Sequence, residues 1–298
     1  MKVSFLVAKL MLVFVALFGQ NVATAYPALP RQQKEIVFHH LTIDDGLSHN
    51  SVFDVYQDRL GFIWATTVQG INKYDGMTFT SFMPQAPGSG QSTPQFYMKI
   101  LEDRDGILWF CNYGAGLVRH DPVLGTWKYY QHEEQNPNSL VDNTTWFVFQ
   151  DRDGLLWIST YGGLSRLDPV TEQFTNYRND PSNPDSLGFD ILSQVRQDAA
   201  GMLWIGTYGG GLDRFDPATG VFTHYRNDPD NPDSLSDNRV ESVWIEADGS
   251  MWIGTDNGLN HFDPDSGRFV RYFHEDKDPN SLSHSMVMQA MRDSRGQL

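Results

Sequence analysis

The chain has 298 residues, 22 of them Lys or Arg and 37 Asp or Glu, for a formal net charge of −15; 40% are hydrophobic, 13% aromatic, 26 are Gly and one is Cys. A field of that sign repels the phosphate backbone of nucleic acid and anionic lipid surfaces, and so speaks against both as partners. The aromatic content is too high for a disordered acidic tail, and Gly with Trp, Tyr and Phe in this proportion favours many short strands joined by tight turns, an all-β fold.

The first predicted element is an export signal. Lys2 and Lys9 lie before an apolar stretch from Leu10 to Phe18, and Ala23-Thr24-Ala25 supplies a small-x-small cleavage site ahead of Tyr26. The stretch is too short for a hydrocarbon core of about 30 Å, which needs about 20 residues, so residues 1–25 read as a cleaved signal peptide rather than an anchor. Removing them takes away two Lys and no acid and leaves a net charge of −17. Nothing later in the sequence is long and apolar enough for a transmembrane helix. The protein is therefore expected outside the cytoplasm. The single Cys111 has no partner for an internal disulfide and reads as a small buried hydrophobe.

From residue 43 onward the chain repeats. Trp64, Trp109, Trp157, Trp204 and Trp252 are spaced by 45, 48, 47 and 48 residues, and three positions before each stands Gly61, Gly106, Gly154, Gly201 or Gly249. An acid stands six positions before each Trp (Asp58, Asp103, Asp151, Asp198, Glu246), and a β-branched residue nine before (Val55, Ile100, Val148, Val195, Val243). After each Trp come Gly-Leu or Gly-Ile, an Asp, and an aromatic-x-x-aromatic pair such as Phe174/Tyr177. Each unit reads as four strands. Asp151-Arg152-Asp153-Gly154 predicts a short hairpin in which Asp tolerates the left-handed region and Gly supplies positive φ. Asp216-Pro217-Ala218-Thr219-Gly220 predicts the turn from third strand to fourth. Period-2 alternation puts each Trp on one face of its sheet, where it fills the gap to the next.

Four-stranded units of about 47 residues that cannot bury their faces alone are blades of a β-propeller. The expected blades lie at about 43–90, 91–138, 139–186, 187–234 and 235–282, with a partial sixth at 283–298. In that last unit Asp293 and Gly296 match the positions before the next Trp, which would fall at 299. The expectation is a fragment of a seven-bladed ring, because an unfinished blade leaves an unpaired edge.

The units Asp151-Arg152-Asp153-Gly154-Leu155-Leu156-Trp157-Ile158-Ser159-Thr160 and Trp204-Ile205-Gly206-Thr207, followed by Gly210-Gly211-Leu212, resemble the two-component regulator propeller repeat. So does the opening Leu41-Thr42-Ile43-Asp44-Asp45-Gly46-Leu47-Ser48-His49-Asn50. The resemblance spans about residues 36–298. It implies a periplasmic or extracellular sensor domain of a parent protein anchored in the inner membrane. In the family that parent continues into an immunoglobulin-like domain, a membrane helix, and a histidine kinase or diguanylate cyclase, and it can dimerise through the membrane-proximal parts. None of those later parts is in this sequence, so no catalytic residue can be carried over.

The turns between second and third strands share one side with the connections between blades, and that side is the richer chemically. It holds Tyr113, Tyr161 and Tyr208, each four residues after its Trp, and the connections containing Asp185 and Asp233. Aromatic faces beside carboxylates suit a small extracellular ligand, an oligosaccharide or a peptide. The competing reading is that these residues recur with the repeat and only satisfy turn geometry. Asp228-Pro229-Asp230-Asn231 and Asp276-Lys277-Asp278 alternate oxygens as calcium loops do but lack the mid-loop Gly and terminal Glu of an EF-hand, and they read as solvated turns. No metal or cofactor is expected. The leading reading is a non-enzymatic sensor in which ligand shifts a conformational equilibrium. The alternatives are an exported propeller enzyme, such as a polysaccharide lyase, and a secreted protein-binding scaffold.

Overall fold

Each repeat pairs with itself before it pairs with anything else, because its short turns allow only antiparallel neighbours. The computed structural model describes residues 39–84, 96–293 and 295–298; the expected export signal at 1–25 lies outside them. Residues 41–298 form one contact unit. Its first sheet contains β1 (Val52–Gln57), β2 (Ile63–Thr67), β3 (Gly70–Tyr74) and β4 (Phe79–Phe82), and its second β5 (Tyr97–Glu102), β6 (Leu108–Asn112), β7 (Gly116–Asp121) and β8 (Thr126–Tyr130). The third holds β9 (Thr145–Gln150), β10 (Leu156–Thr160), β11 (Leu164–Asp168) and β12 (Gln173–Tyr177), and the fourth β13 (Leu192–Gln197), β14 (Leu203–Thr207), β15 (Leu212–Asp216) and β16 (Val221–Tyr225). The fifth holds β17 (Val240–Ile245), β18 (Met251–Thr255), β19 (Gly258–Asp263) and β20 (Arg268–Tyr272). Strands follow chain order in every sheet, all antiparallel. One 3-10 turn, Ile43–Asp45, precedes them, capped by the Thr42 and Asp45 side chains.

The first strands pack in succession, β1 on β5, β5 on β9, β9 on β13 and β13 on β17, which is the blade arrangement of a propeller. Between neighbouring sheets lies one cluster each. Trp157 of the third sheet, for example, is buried against Leu192, Val195, Leu203, Ile205 and Phe215 of the fourth. The β-branched position records which sheets are covered on that side. Ile100, Val148, Val195 and Val243 are at most 2% exposed, whereas Val55 of the first sheet is 60% exposed. Residues 283–293 lie along the fifth sheet without forming a strand: Val287 N donates to Thr255 O at 2.9 Å and Gly258 N to Ser285 O at 2.6 Å.

The hairpin acid does something other than adopt left-handed geometry. Gly154 does have φ +89°, but among the described residues the only non-Gly residue with positive φ is Glu172. Instead Asp151 Oδ1 accepts the backbone N–H of Asp153 and of Leu155, both at 2.9 Å, while Oδ2 accepts Trp157 Nε1 at 2.7 Å. Asp58, Asp103 and Asp198 hold Trp64, Trp109 and Trp204 in the same way at 2.8, 2.7 and 2.9 Å. In the fifth sheet the acid is Glu246. Its longer side chain turns to Arg292 at 2.6 Å, and the buried Trp252 Nε1 has no partner among the described residues. On the same side Arg104 donates through Nη2 to Asp151 O at 2.7 Å and through Nη1 to Arg152 O at 2.6 Å, tying the second sheet to the third.

Candidate functional site

The opposite side is built from the residue four positions after each Trp and from the chain entering each first strand. That residue is held from within its own sheet: Tyr113 N donates to Phe96 O at 2.8 Å, Tyr161 N to Thr144 O at 3.1 Å, and Tyr208 N to Ile191 O at 2.9 Å. The turn is also joined to the next sheet. Gly209 N and Gly211 N both donate to Asn238 O at 3.0 Å, and bridges pair Tyr113 with Thr144 and Tyr208 with Arg239. Gly211 is required there. Its φ is +87° and a Cβ would stand 2.2 Å from Tyr225 O.

The side chains on this scaffold form a run of rings ending in acids. Phe96 meets Tyr113 edge-on with centroids 6.5 Å apart, Tyr113 meets Tyr161 edge-on at 5.6 Å, and Tyr161 lies 6.1 Å from Trp146. Tyr208 donates its hydroxyl to Glu241 Oε2 at 2.6 Å, and Arg239 Nη1 lies 3.3 Å from Asp256 Oδ2. Burial raises the Tyr161 hydroxyl above its ordinary range, with further upward pushes from Tyr113 and the charge of Glu241. Burial and then the Glu241 hydrogen bond do the same to Tyr208. The Glu241 carboxyl is itself raised, chiefly by burial and further by its neighbour Asp256, against the lowering effect of the Tyr208 hydrogen bond. Tyr113 is 45% exposed, so the run is open to solvent at that end. Rings can cover C–H faces, and carboxylates beside them can accept hydroxyl or amine donors.

Of the residues expected from sequence, the structure brings Tyr113 and Tyr161 into ring contact and pairs Tyr208 with Glu241, whose charge also acts on Tyr161. Asp185 and Asp233 lie elsewhere. Asp185 O accepts Phe222 N on β16 at 3.0 Å and Asp233 O accepts Phe269 N on β20 at 2.9 Å, so both connections fold back onto fourth strands with their side chains exposed. Asp228 likewise uses Oδ1 on the N–H of Asp230 at 3.0 Å, a turn bond. Sequence reasoning missed Trp146 and Glu241. Both occupy the position two before the β-branched residue, which reads Phe53, Met98, Trp146, Ser193 and Glu241 across the sheets. That offset differs in every sheet, so the repeat itself gave no signal there.

Residues 46–69 and 139–162 match the family model of the two component regulator propeller. Those two segments carry that repeat. Over 52 residues this propeller is 46% identical to histidine kinase P4 of Formosa agariphila, covering 17% of this chain and 4% of that protein. The extracellular domain assigned to the hybrid two component system BT3049 of B. thetaiotaomicron superposes with a TM-score of 0.68 at 24% identity, over 87% of this chain and 39% of that one. Virginiamycin B lyase from Staphylococcus aureus gives 0.56 at 15% identity, over 77% of this chain and 71% of the lyase. The propeller thus spans well under half of the first structure and a small part of the kinase. At these identities the superpositions establish the fold.

Proposed function

We propose that this propeller is the extracytoplasmic ligand-sensing input of a membrane two-component or cyclic-di-GMP signalling protein. The observation that carries the reading is the cluster itself: Tyr113, Tyr161 and Trp146 meet ring to ring, and Tyr208 donates its hydroxyl to Glu241 Oε2 at 2.6 Å. The match to a histidine kinase, the likeness to an extracellular sensor domain, and the export signal read at residues 1–25 support it. The ligand is a small neutral oligosaccharide or a peptide, its C–H faces on the rings and its hydroxyl or amine groups on Glu241. Because Tyr161, Tyr208 and Glu241 belong to three different sheets, a ligand spanning them favours one arrangement of those sheets over others, and that bias is what an attached output domain reads.

The test is a titration of intrinsic Trp fluorescence with panels of neutral oligosaccharides and dipeptides. A saturable change is expected, with affinity falling at least tenfold in Tyr161→Ala and in Glu241→Gln. Binding that both variants leave unchanged would sink the assignment of the site. The same experiment separates the second reading favoured by the likeness to virginiamycin B lyase: a sensor returns its ligand intact, whereas a lyase returns it cleaved.

A further inference from the structure

Among the described residues, one cation on the inner surface of the first strands lacks a counterion. The position just after the β-branched residue is Tyr56, Leu101, Phe149, Arg196 and Trp244 in the five sheets, so Arg196 stands where the others carry large, mainly apolar side chains. Its guanidinium lies 4.7 Å from the Phe147 ring centroid of the neighbouring first strand. Lys99 reaches the same ring at 5.8 Å, but Lys99 is neutralised by Asp54 at 2.7 Å. Arg196 has no such acid. Its hydrogen bond among the described residues runs from Nη1 to the carbonyl of Val195 at 3.1 Å. A ring face offsets part of the desolvation of a guanidinium while taking up none of its N–H donors. Burial alone lowers Arg196 to about 10, the mark of a cation taken out of water without a compensating charge.

A second group on the same strand has unused capacity. Gln194, two residues earlier on β13 at the irregularity between Leu192 and Val195, donates Nε2 to Gln289 Oε1 at 2.9 Å, while its buried Oε1 has no donor among the described residues. An orphaned acceptor two residues along one strand from an unpaired guanidinium is the complement of a molecule that carries a carboxylate and a hydroxyl.

We infer that Arg196, Gln194 and Phe147 form an anion site on the inner surface of the first strands, separate from the Tyr161 face, that takes a small hydroxycarboxylate. The guanidinium forks onto the carboxylate through its free N–H groups, the Gln194 carbonyl accepts the hydroxyl, and Phe147 lies beneath the Arg plane. The chain's net charge of −15 repels anions at long range, so binding is weak at low ionic strength and governed by this local geometry.

Lactate and acetate serve as probes, each titrated at constant ionic strength made up with sodium chloride while the thermal midpoint is read. A saturable rise with lactate, larger than with acetate, is expected in the unmodified chain, with apparent affinity at least tenfold weaker in Arg196→Gln and partly kept in Arg196→Lys. No carboxylate response beyond that of chloride, or an equal response in Arg196→Gln, overturns the site. Arg196→Met is expected to raise the midpoint in chloride alone, because an apolar side chain suits this position better than an unpaired charge. A midpoint lowered by that substitution would mean that the arginine is a packing element held by Phe147, and would likewise overturn the proposal. Tyr161→Ala leaves the lactate response intact, which keeps this outcome distinct from that of the ligand face.

Discussion

Replacing Asp151 tests what holds a sheet to its neighbour. Its carboxylate is 4% exposed as a residue and accepts three N–H groups, those of Asp153, Leu155 and Trp157 Nε1. Hydrogen bonds to a charged acceptor are worth about 1.5–3 kcal/mol each, and an orphaned buried donor costs about 1–3 kcal/mol. The two backbone donors sit at the hairpin, where water replaces the carboxylate; Trp157 is wholly buried and its N–H finds no substitute. Asp151→Ala is therefore expected to cost about 3–5 kcal/mol. Asp151→Asn keeps an oxygen for the turn but sets an amide N–H₂ against the indole N–H, at about 2 kcal/mol. Urea unfolding followed by Trp fluorescence reads both; with a slope of about 3 kcal/mol per molar, the alanine midpoint falls by about 1 M or more. Asp168→Ala is the control, since that acid caps only an exposed turn through Val170 N and Thr171, and about 1 kcal/mol is expected. An Asp151→Asn midpoint within about 0.5 kcal/mol of the parent would refute the indole bond as a source of stability.

Two further outcomes follow from local geometry. Gly211→Ala puts a Cβ 2.2 Å from Tyr225 O at φ +87°, a backbone clash added to left-handed strain of about 1–2 kcal/mol, whereas Gly220→Ala has the strain at φ +77° and open space around it. Paired unfolding curves should show the first costing at least twice the second. His224 has both ring nitrogens facing acceptors, Nδ1 at 2.6 Å from Asp213 Oδ1 and Nε2 at 3.0 Å from Pro184 O. The Asp213 hydrogen bond chiefly raises its pKa above 6.5, against burial and Arg226, which lower it. A raised folded pKa means that the stabilisation is fully present below about pH 6.5 and is lost as pH rises through the folded value. His224→Asn should flatten the decline in urea midpoint over that window, and a histidine ring titration at or below 6.5 by NMR would contradict the double hydrogen bond.

The repeat was legible because its Trp, Gly and acid recur at fixed offsets, and a residue that recurs is one that every sheet needs. Trp157 against the next sheet and Gly154 at positive φ follow from alternation and turn chemistry alone. The Asp151 to Trp157 bond was hidden in the same offsets: six residues apart across a tight hairpin, the two side chains fall side by side once strand pairing is applied. The ring-and-acid face was half legible. Tyr113, Tyr161 and Tyr208 stood out as aromatic, but a linear sequence does not show that the connections holding Asp185 and Asp233, whose side chains are exposed, fold back onto outer strands. Trp146, Glu241 and Arg196 share the opposite lesson. Arg196 departs from the large, mainly apolar residues at its offset, whereas Trp146 and Glu241 occupy an offset that differs in all five sheets, so neither recurs and neither reads as a residue that every sheet needs.

The uneven cover on the β-branched position has a consequence for how the molecule wears. Since every sheet closes on itself before resting on its neighbour, free energy is shared only between adjacent sheets, as in a one-dimensional chain of coupled units. The second, third and fourth sheets are clamped from both sides, whereas the first shows Val55 to solvent and the fifth has an indole with no acceptor. Opening therefore starts at those two sheets and works inward, and the central units, which carry Tyr113, Tyr161 and Arg196, are the last to lose their order.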